Sequence, residues 1–451
     1  MHTQTLYELV FYMNRCHSPI PPTHLPRSCA HWLSPFVTVA AAISIYAALR
    51  FRPITNMTLA LYVTLTLVVL ESALELIRVP WKTLPRPHVP ARTLLKHCAI
   101  KWLGTMMGLV LILFAWWLFP EYQRPKYEPL FEVMPIVLPW VPVIVGLWIY
   151  FSEWRLGPAK EGGWHLGLLL LGRRREVNTY LLCDDLMGWL VKGIFLPINF
   201  CELTRALGVF RGNGEFMLDL SAGLPWGQVQ STLMEMIYAL LIAAIIPGYL
   251  FSARLLNTHL RKADHTWMAW VVTLSCYSPL SSSVLTYWFH YGHLINHDIQ
   301  WMLPWVVMTQ DIPVLYFGCG GLILLLELIH CWGEALFGIR ASNLSHRGII
   351  TNGPLRFCKH PIYVVKCIAW GLMWLPFTCA PFPECMRATI LYFGVCGIYM
   401  LRGFVEERLL HDDPDYRAYA LWIDRHGMFA WLGRAFPPLS FQWRVARWEA
   451  A

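Results

Sequence analysis

Charged side chains are scarce in this chain: 14% of its 451 residues are Asp, Glu, Lys or Arg, against 56% apolar. That balance lies outside the range of soluble globular domains. There is no fixed-period repeat and no low-complexity tract, which excludes a solenoid or a structureless linker protein. The thirteen cysteines include no Cys-x-x-Cys pair and no framework spacing, so they read as free thiols rather than as a disulfide scaffold. A cleavable signal peptide is not expected either. The first thirty residues are broken by prolines, and the short apolar run Leu6 to Met13 lacks a basic flank and a small-residue cleavage site, so it reads as an amphipathic turn on a surface. The C-terminus, Arg447 to Ala451, has no prenylation signal.

What the chain has in quantity is long apolar runs. About 20 mainly apolar residues cross the hydrocarbon core as a helix. Runs of that kind lie near 30–50, 57–77, 99–119, 131–152, 179–200, 230–251, 267–289, 304–330, 361–382 and 385–401. The expected fold is therefore an all-α, polytopic membrane bundle of about ten spans. Pro376 breaks the ninth of them, which suits a bent or re-entrant arm. Placing the N-terminus in the cytoplasm puts most of the 36 Lys and Arg residues on the inner side. The richest inner loops carry Arg78, Lys82, Arg86, Arg92 and Lys96, then Arg155, Lys160 and Arg173 to Arg175. The net charge of +8 is then a matter of topology and anionic headgroups, not of nucleic-acid binding.

Two divisions follow: residues 1–303 as a helical membrane scaffold, and 304–451 as the region where polar signals gather at one face. After Arg402 the pattern becomes amphipathic, with Tyr416, Tyr419 and Trp422 at helical spacing and Pro437-Pro438 ending the order. This tail is too polar to insert and is expected to pack under the last hairpin.

Two clusters carry chemistry. The first is 352–363, NGPLRFCKHPIY, where Gly353-Pro354 makes a turn and Pro361 suits the first position of a helix. A helix starting there offers free amides to an anion. His360 and Tyr363, three residues apart, share a face, with Arg356 and Lys359 beside them. The second is 402–410, RGFVEERLL, where Glu406 and Glu407 lie about 100° apart around a helix, so one can face inward while the other faces the tail. An anion site, a carboxylate acceptor and the aromatic faces of Tyr363, Trp370, Tyr392 and Tyr399 match a ligand with a carboxylate, an ammonium, a ribose and a sulfonium. S-adenosylmethionine is such a ligand.

The stretch 342–363 resembles the Gly-Pro-Tyr and Arg-His-Pro-x-Tyr element of the isoprenylcysteine carboxyl methyltransferase family and its phospholipid methyltransferase relatives. The stretch 406–419, EERLLHDDPDYRAY, resembles that family's Glu-Glu motif and Tyr-x-x-Tyr tail, so the resemblance spans roughly 304–430. It implies a methyltransferase using S-adenosylmethionine on a lipophilic or prenylated acceptor, in a cytosol-facing pocket capped by the tail. It implies cofactor contacts from Gly353, Arg356, Lys359, His360, Tyr363 and Glu406 or Glu407. Arg402 is the expected cation for orienting a carboxylate acceptor, and His360 or a glutamate the base for an amine or thiol. Leu355 stands where that family has an aromatic, and Lys359 where it has Arg; Lys keeps the charge without the planar fork.

Other polar groups define alternatives. A membrane reductase of steroid-reductase type, with NADPH at the same face, is one. Asp311, Glu235 and Glu327 within apolar stretches suggest an ion path and a transporter. Asp184, Asp185 and Lys192 read more simply as a structural ion pair, with Asp185 and Lys192 two turns apart on one face. His290, His293 and His297 with Asp298 have spacing that would aim imidazoles at a metal, but they fall at a span end where polar residues are ordinary, and no metal is expected.

Overall fold

Apolar runs of twenty residues or more become long helices in this chain, and prolines mark where they start or bend. The computed structural model describes residues 24–49, 52–78, 87–217, 226–277, 280, 304–374 and 382–450. The helices are α1 (Ser34–Leu49), α2 (Asn56–Arg78), α3 (Ala91–Leu118), α4 (Glu128–Val137), α5 (Val141–Leu156), α6 (Trp164–Leu170), α7 (Thr179–Met217), α8 (Trp226–Leu250) and α9 (Trp267–Leu274). They continue as α10 (Pro304–Thr309), α11 (Pro313–Ala335), α12 (Pro361–Trp374), α13 (Phe382–Leu410), α14 (Pro414–His426), α15 (Ala430–Ala435) and α16 (Phe441–Ala450). Among the described residues the one sheet is the antiparallel pair β1 (Lys262–Ala263) and β2 (Ser345–His346), with Lys262 opposite His346. The fold is all-α, as the apolar pattern indicates.

The described residues do not confirm the ten spans that the sequence pattern suggests. Among the described residues five helices are long and apolar enough to cross a membrane: α2, α3, Val229–Leu250 of α8, α11 and Cys385–Leu410 of α13. A sixth is possible if the pair Pro125–Val137 and Val141–Leu156, bent by 69°, is one broken span. The shortfall has physical causes. α1 has only 16 residues and the described part of α12 only 14, short of the roughly 20 a span needs. The run at 179–200 is part of the 39-residue α7, where Asp184, Asp185, Lys192, Glu202 and Arg205 interrupt the apolar character. Much of 267–289, the break at Pro376, the run Leu6 to Met13, Lys82, Arg86 and the His290–Asp298 group lie outside the described residues.

Helix α8 is the hub. One side packs in a cluster with Leu59, Val63 and Leu67 of α2, Trp116 of α3 and Leu203 of α7, through Ala239, Ala243 and Ile246. Its other side, through Met234, Ile237 and Leu241, joins Trp305, Ile323 of α11 and Ala369 of α12. The scaffold and the C-terminal region therefore pack against opposite sides of the same helix. Outside it, large apolar side chains such as Val69, Trp117, Val314 and Ile390 stand exposed on the spanning helices, as a lipid-facing surface allows.

Two devices set the spacing. Gly104 of α3 and Gly167 of α6 let these helices touch backbone to backbone: a Cβ on Gly104 would lie 1.8 Å from the Gly163 carbonyl oxygen. The turn after α11 is pinned by a buried fork, Arg340 donating to both Glu75 oxygens at 2.6 and 2.8 Å. The strand that leaves it is tied to the chain start: Cys29 N donates to Ile349 O at 2.8 Å, and the Thr351 hydroxyl to Pro26 O at 2.7 Å.

Candidate functional site

The loop into α12 is shaped by Gly353, whose φ of +57° belongs to the left-handed region and whose Cβ would lie 2.4 Å from Leu336; glycine is the residue that meets both demands. A 3₁₀ turn over Gly353–Arg356 follows, and Pro361 opens α12. The tail holds this loop from outside. Tyr419 of α14 donates to Leu355 O at 2.8 Å, and Met428 N donates to Phe357 O at 2.8 Å. Leu355 itself is buried beside Leu336 and Ile350.

From this start, side chains converge with the end of α13. His360 and Tyr363 stack, with ring centres 5.5 Å apart and planes 4° from parallel. The neighbouring glutamates divide, as their angular separation requires. Glu407 is buried and meets three cationic or imidazole groups: His360 Nε2 at 3.1 Å, Lys359 Nζ at 3.5 Å, and Arg444 from α16. Glu406, about a third exposed, accepts from the Tyr363 hydroxyl and from Arg402 Nε at 3.2 Å. Lys359 also pairs with Asp424 at 2.9 Å, and Asp424 accepts from the Ser440 hydroxyl at 2.8 Å and Gln442 N at 3.1 Å.

A cavity of about 460 Å³ opens here. Lys359, His360, Tyr363 and Glu407 line it, with Gly403, Phe404 and Tyr399 of α13 and Asp424 and Arg444 of the tail. Its remaining wall is apolar or thiol, including Val364, Cys367, Ile368, Cys396 and Leu432. A Cβ on Gly403 would stand 3.1 Å from the His360 ring, so glycine there keeps the imidazole in place.

Gly353, Arg356, Arg402 and Glu406 do not line this cavity. Arg356 is exposed on the outer side of the 3₁₀ turn, and Gly353 packs on Leu336 and Trp332. Arg402 points to the far side of α13, where it donates to Asn343 Oδ1 at 2.6 Å and lies over the Tyr277 and Tyr363 rings at 5.4 and 5.1 Å. Asn343 in turn donates to the hydroxyls of Tyr249 and Tyr277 at 2.9 and 3.1 Å. Arg402 is thus part of a buried polar cluster behind the cavity wall.

Sequence reasoning missed Asp424, Arg444 and Asn343. Pro437-Pro438 does not end the order: these prolines form a short 3₁₀ turn, and α16 follows with Phe441 and Val445 buried and Arg444 turned inward. The available signal was the spacing of Phe441, Arg444, Val445 and Trp448, which puts them on one helical face.

The other polar candidates lie away from this cavity, and Glu327 Oε1 is buried with no hydrogen-bond partner among the described residues. Asp184 accepts Ala263 N at 3.0 Å and faces His265 Nε2 at 2.8 Å, and Asp185 accepts Gly163 N at 2.7 Å. Glu235 pairs with Arg205 at 3.4 Å, Glu327 with His330 at 2.9 Å, and Asp311 is exposed. Among the described residues no group of three metal-binding side chains occurs.

The hinge between α13 and the tail carries a pH-sensitive contact. Asp413 caps α14 by accepting from Asp415 N at 2.8 Å and Tyr416 N at 3.1 Å, and it meets His346 Nε2 at 2.7 Å. Burial pushes its carboxyl up, but the hydrogen bond and charge of His346 outweigh this and hold it below the usual range. A carboxyl lowered in the fold contributes stability above its unfolded pKa, near 3.9, and loses that contribution as pH falls through its folded value. Tail docking is therefore expected to persist at neutral pH and to weaken below about pH 4. In Asp413→Asn that acid-dependent component should vanish. Tryptophan fluorescence against pH checks this, and an unchanged acid transition in the variant would refute it.

No family model matches the chain, and no curated protein or solved structure matches it.

Proposed function

We propose that the chain is an integral membrane methyltransferase that holds S-adenosylmethionine in the cavity between α12, α13 and the tail and methylates an apolar or lipid-like acceptor. The observation that carries this reading is the convergence of Lys359, His360, Tyr363 and Arg444, with the carboxylates Glu407 and Asp424, on one 460 Å³ space whose remaining wall is apolar, aromatic or thiol. Its size falls within the range of small-molecule sites. The resemblance of 342–363 and 406–419 to isoprenylcysteine carboxyl methyltransferases points to three of these residues, Lys359, His360 and Tyr363. A prenylated cysteine carboxylate or a phospholipid-type head is the acceptor class that resemblance suggests.

The donor set fits such a cofactor. Lys359 and Arg444 suit its carboxylate. The faces of Tyr363, Tyr399 and Phe404 suit an adenine or a cationic sulfur. S-adenosylmethionine, when bound, supplies an electrophilic methyl group, and what remains for the protein is alignment and exclusion of water. The tail serves the second task by covering the cavity with α14 to α16. Glu407 acts as a positioning residue, because its oxygens hold Lys359, His360 and Arg444. His360 is the group placed to take a proton from an amine or thiol acceptor; a carboxylate acceptor needs no base. The site is proposed to face the cytoplasm, on the distribution of Lys and Arg among the loops.

The test is calorimetric titration of the detergent-purified full chain with S-adenosylhomocysteine and with NADPH. S-adenosylhomocysteine is expected to bind, and at least tenfold more weakly to His360→Ala and Lys359→Met proteins that melt normally. Binding of NADPH alone would turn the reading to a membrane reductase. Binding of neither, with ion-dependent uptake into liposomes, would turn it to a transporter.

A further inference from the structure

A second, larger cavity of about 1220 Å³ lies among α3, α5, α7 and the 251–261 segment. It exceeds the usual span of small-molecule pockets and shares no lining residue with the 460 Å³ cavity, although Ser342, Arg347 and Asp412 to Asp415 of the C-terminal region also border it. One end is apolar, lined by Val68, Leu109, Ile112 and Val145; the other is lined by ionisable groups.

The acids at that end are already engaged. Glu153 is held by Lys101 at 2.7 Å and by Ala159 N at 2.7 Å, and Glu161 by Arg254 at 2.9 Å. Asp184, Asp185 and Asp413 take the amide and imidazole contacts described above, and Lys262 holds Asp412 at 2.7 Å. The donors are not matched in the same way. Lys192 lies over the Trp189 ring at 5.1 Å, while Asp185, the acid whose charge acts on it, accepts the Gly163 amide. Among the described residues Arg347 donates only to carbonyls, those of Thr258, Gly248 and Phe251 at 2.6 to 2.8 Å and of Ala341 at 3.2 Å. Dipoles compensate its charge without cancelling it. The Nδ1 atom of His259 is buried with no partner. Burial, with Arg261, Arg254 and Arg347 nearby, pushes His259 down to about 3, so its ring is neutral and carries one N–H. A buried polar atom without a partner costs about 1–3 kcal/mol, and the His259 ring borders the cavity.

We propose that this cavity binds a single-chain amphipathic anion. Its phosphate or carboxylate head accepts from Lys192 and His259 beside the fixed charge of Arg347, and its chain lies along Leu109, Ile112 and Val145. The site is independent of the methyl-transfer reading, and its failure would leave that reading untouched.

The experiment uses the full chain in phosphatidylcholine nanodiscs, with empty nanodiscs subtracted. The probes are dodecyl phosphate, dodecanoate, dodecyltrimethylammonium and inorganic phosphate. Saturable binding of either anionic amphiphile is expected, at least tenfold weaker in Lys192→Met and in Leu109→Trp and recovered in Lys192→Arg. S-adenosylhomocysteine titrations should be the same in all of these proteins. Equal affinity for dodecyltrimethylammonium would overturn the charge assignment. Equal affinity for inorganic phosphate would overturn the role of the apolar end, and unchanged affinity in both variants would place the ligand elsewhere. If the variants do not fold, hydrogen exchange of the wild-type chain decides. Dodecyl phosphate is expected to slow exchange across 252–261, and no slowing there refutes the site.

Discussion

In a Glu407→Gln protein the C-terminal tail is expected to come away from the bundle. Glu407 is 1% exposed and sits among Lys359, His360 and Arg444. Removing its charge leaves Arg444 facing an amide in a buried setting, and leaves Lys359 with Asp424 alone. Breaking a buried pair in this way costs about 3–5 kcal/mol, because the remaining charge keeps its desolvation penalty. The cost falls on the contact that joins α16 to α13, while the cluster of Tyr416, Tyr419, Ile423 and Phe441 still holds the tail together internally. Local opening is therefore expected ahead of global unfolding. Trypsin cleavage at Arg425 or Arg434 should rise more than a hundredfold, since about 1.4 kcal/mol is a factor of ten and cleavage follows the open population. S-adenosylhomocysteine binding should fall with it. Glu406→Gln is the matched control: its carboxylate is about a third exposed, so its effect should stay near 1 kcal/mol or less. Equal cleavage of the two variants would contradict the assignment of Glu407 as the tail's anchor.

Gly104→Ala is expected to produce a large loss of thermal stability from the smallest possible side chain. The added Cβ would meet Gly163 O at 1.8 Å and Gly167 N at 2.5 Å. Both are backbone atoms, so relief requires α3 and α6 to separate rather than a side chain to rotate. Overpacking typically costs about 1–3 kcal/mol and occasionally more, and this clash is at the severe end. Gly212→Ala gives the opposite sign. Gly212 is an exposed position within α7 with nothing within 4 Å of its would-be Cβ, and helical glycine is worse than alanine by roughly 0.5–1 kcal/mol. Melting curves of the two proteins should move in opposite directions. A Gly104→Ala protein that melts with the wild type would show that the close crossing of α3 and α6 is not required.

How much of the site was legible depended on whether the contact was local. His360 and Tyr363 are one helical turn apart, so their shared face follows from spacing, and they stack. The division of labour between Glu406 and Glu407 follows from their separation around one helix. Arg444 and Asp424 reach the cavity because the tail folds back, and no local period encodes where a folded-back segment lands. The same holds for Arg402, whose direction is set by Asn343, Tyr277 and Tyr249 in distant segments. The all-α class was legible because long apolar runs leave little choice. The number of spans was not, because an apolar run does not reveal whether a helix stops short, as α1 does, or runs on through charged residues, as α7 does.

The buried fork between Glu75 and Arg340 has a consequence for biogenesis. The two residues are 265 positions apart. At synthesis rates of about 5–20 residues per second, Glu75 waits on the order of tens of seconds before its partner leaves the ribosome. Through that interval α2 carries a carboxyl that has only the looser contact with Arg78, at 3.8 Å, in place of the buried fork. The early helices are expected to linger with the insertion machinery, and truncated nascent chains ending before residue 340 should be captured by quality-control proteases more readily than those ending after it.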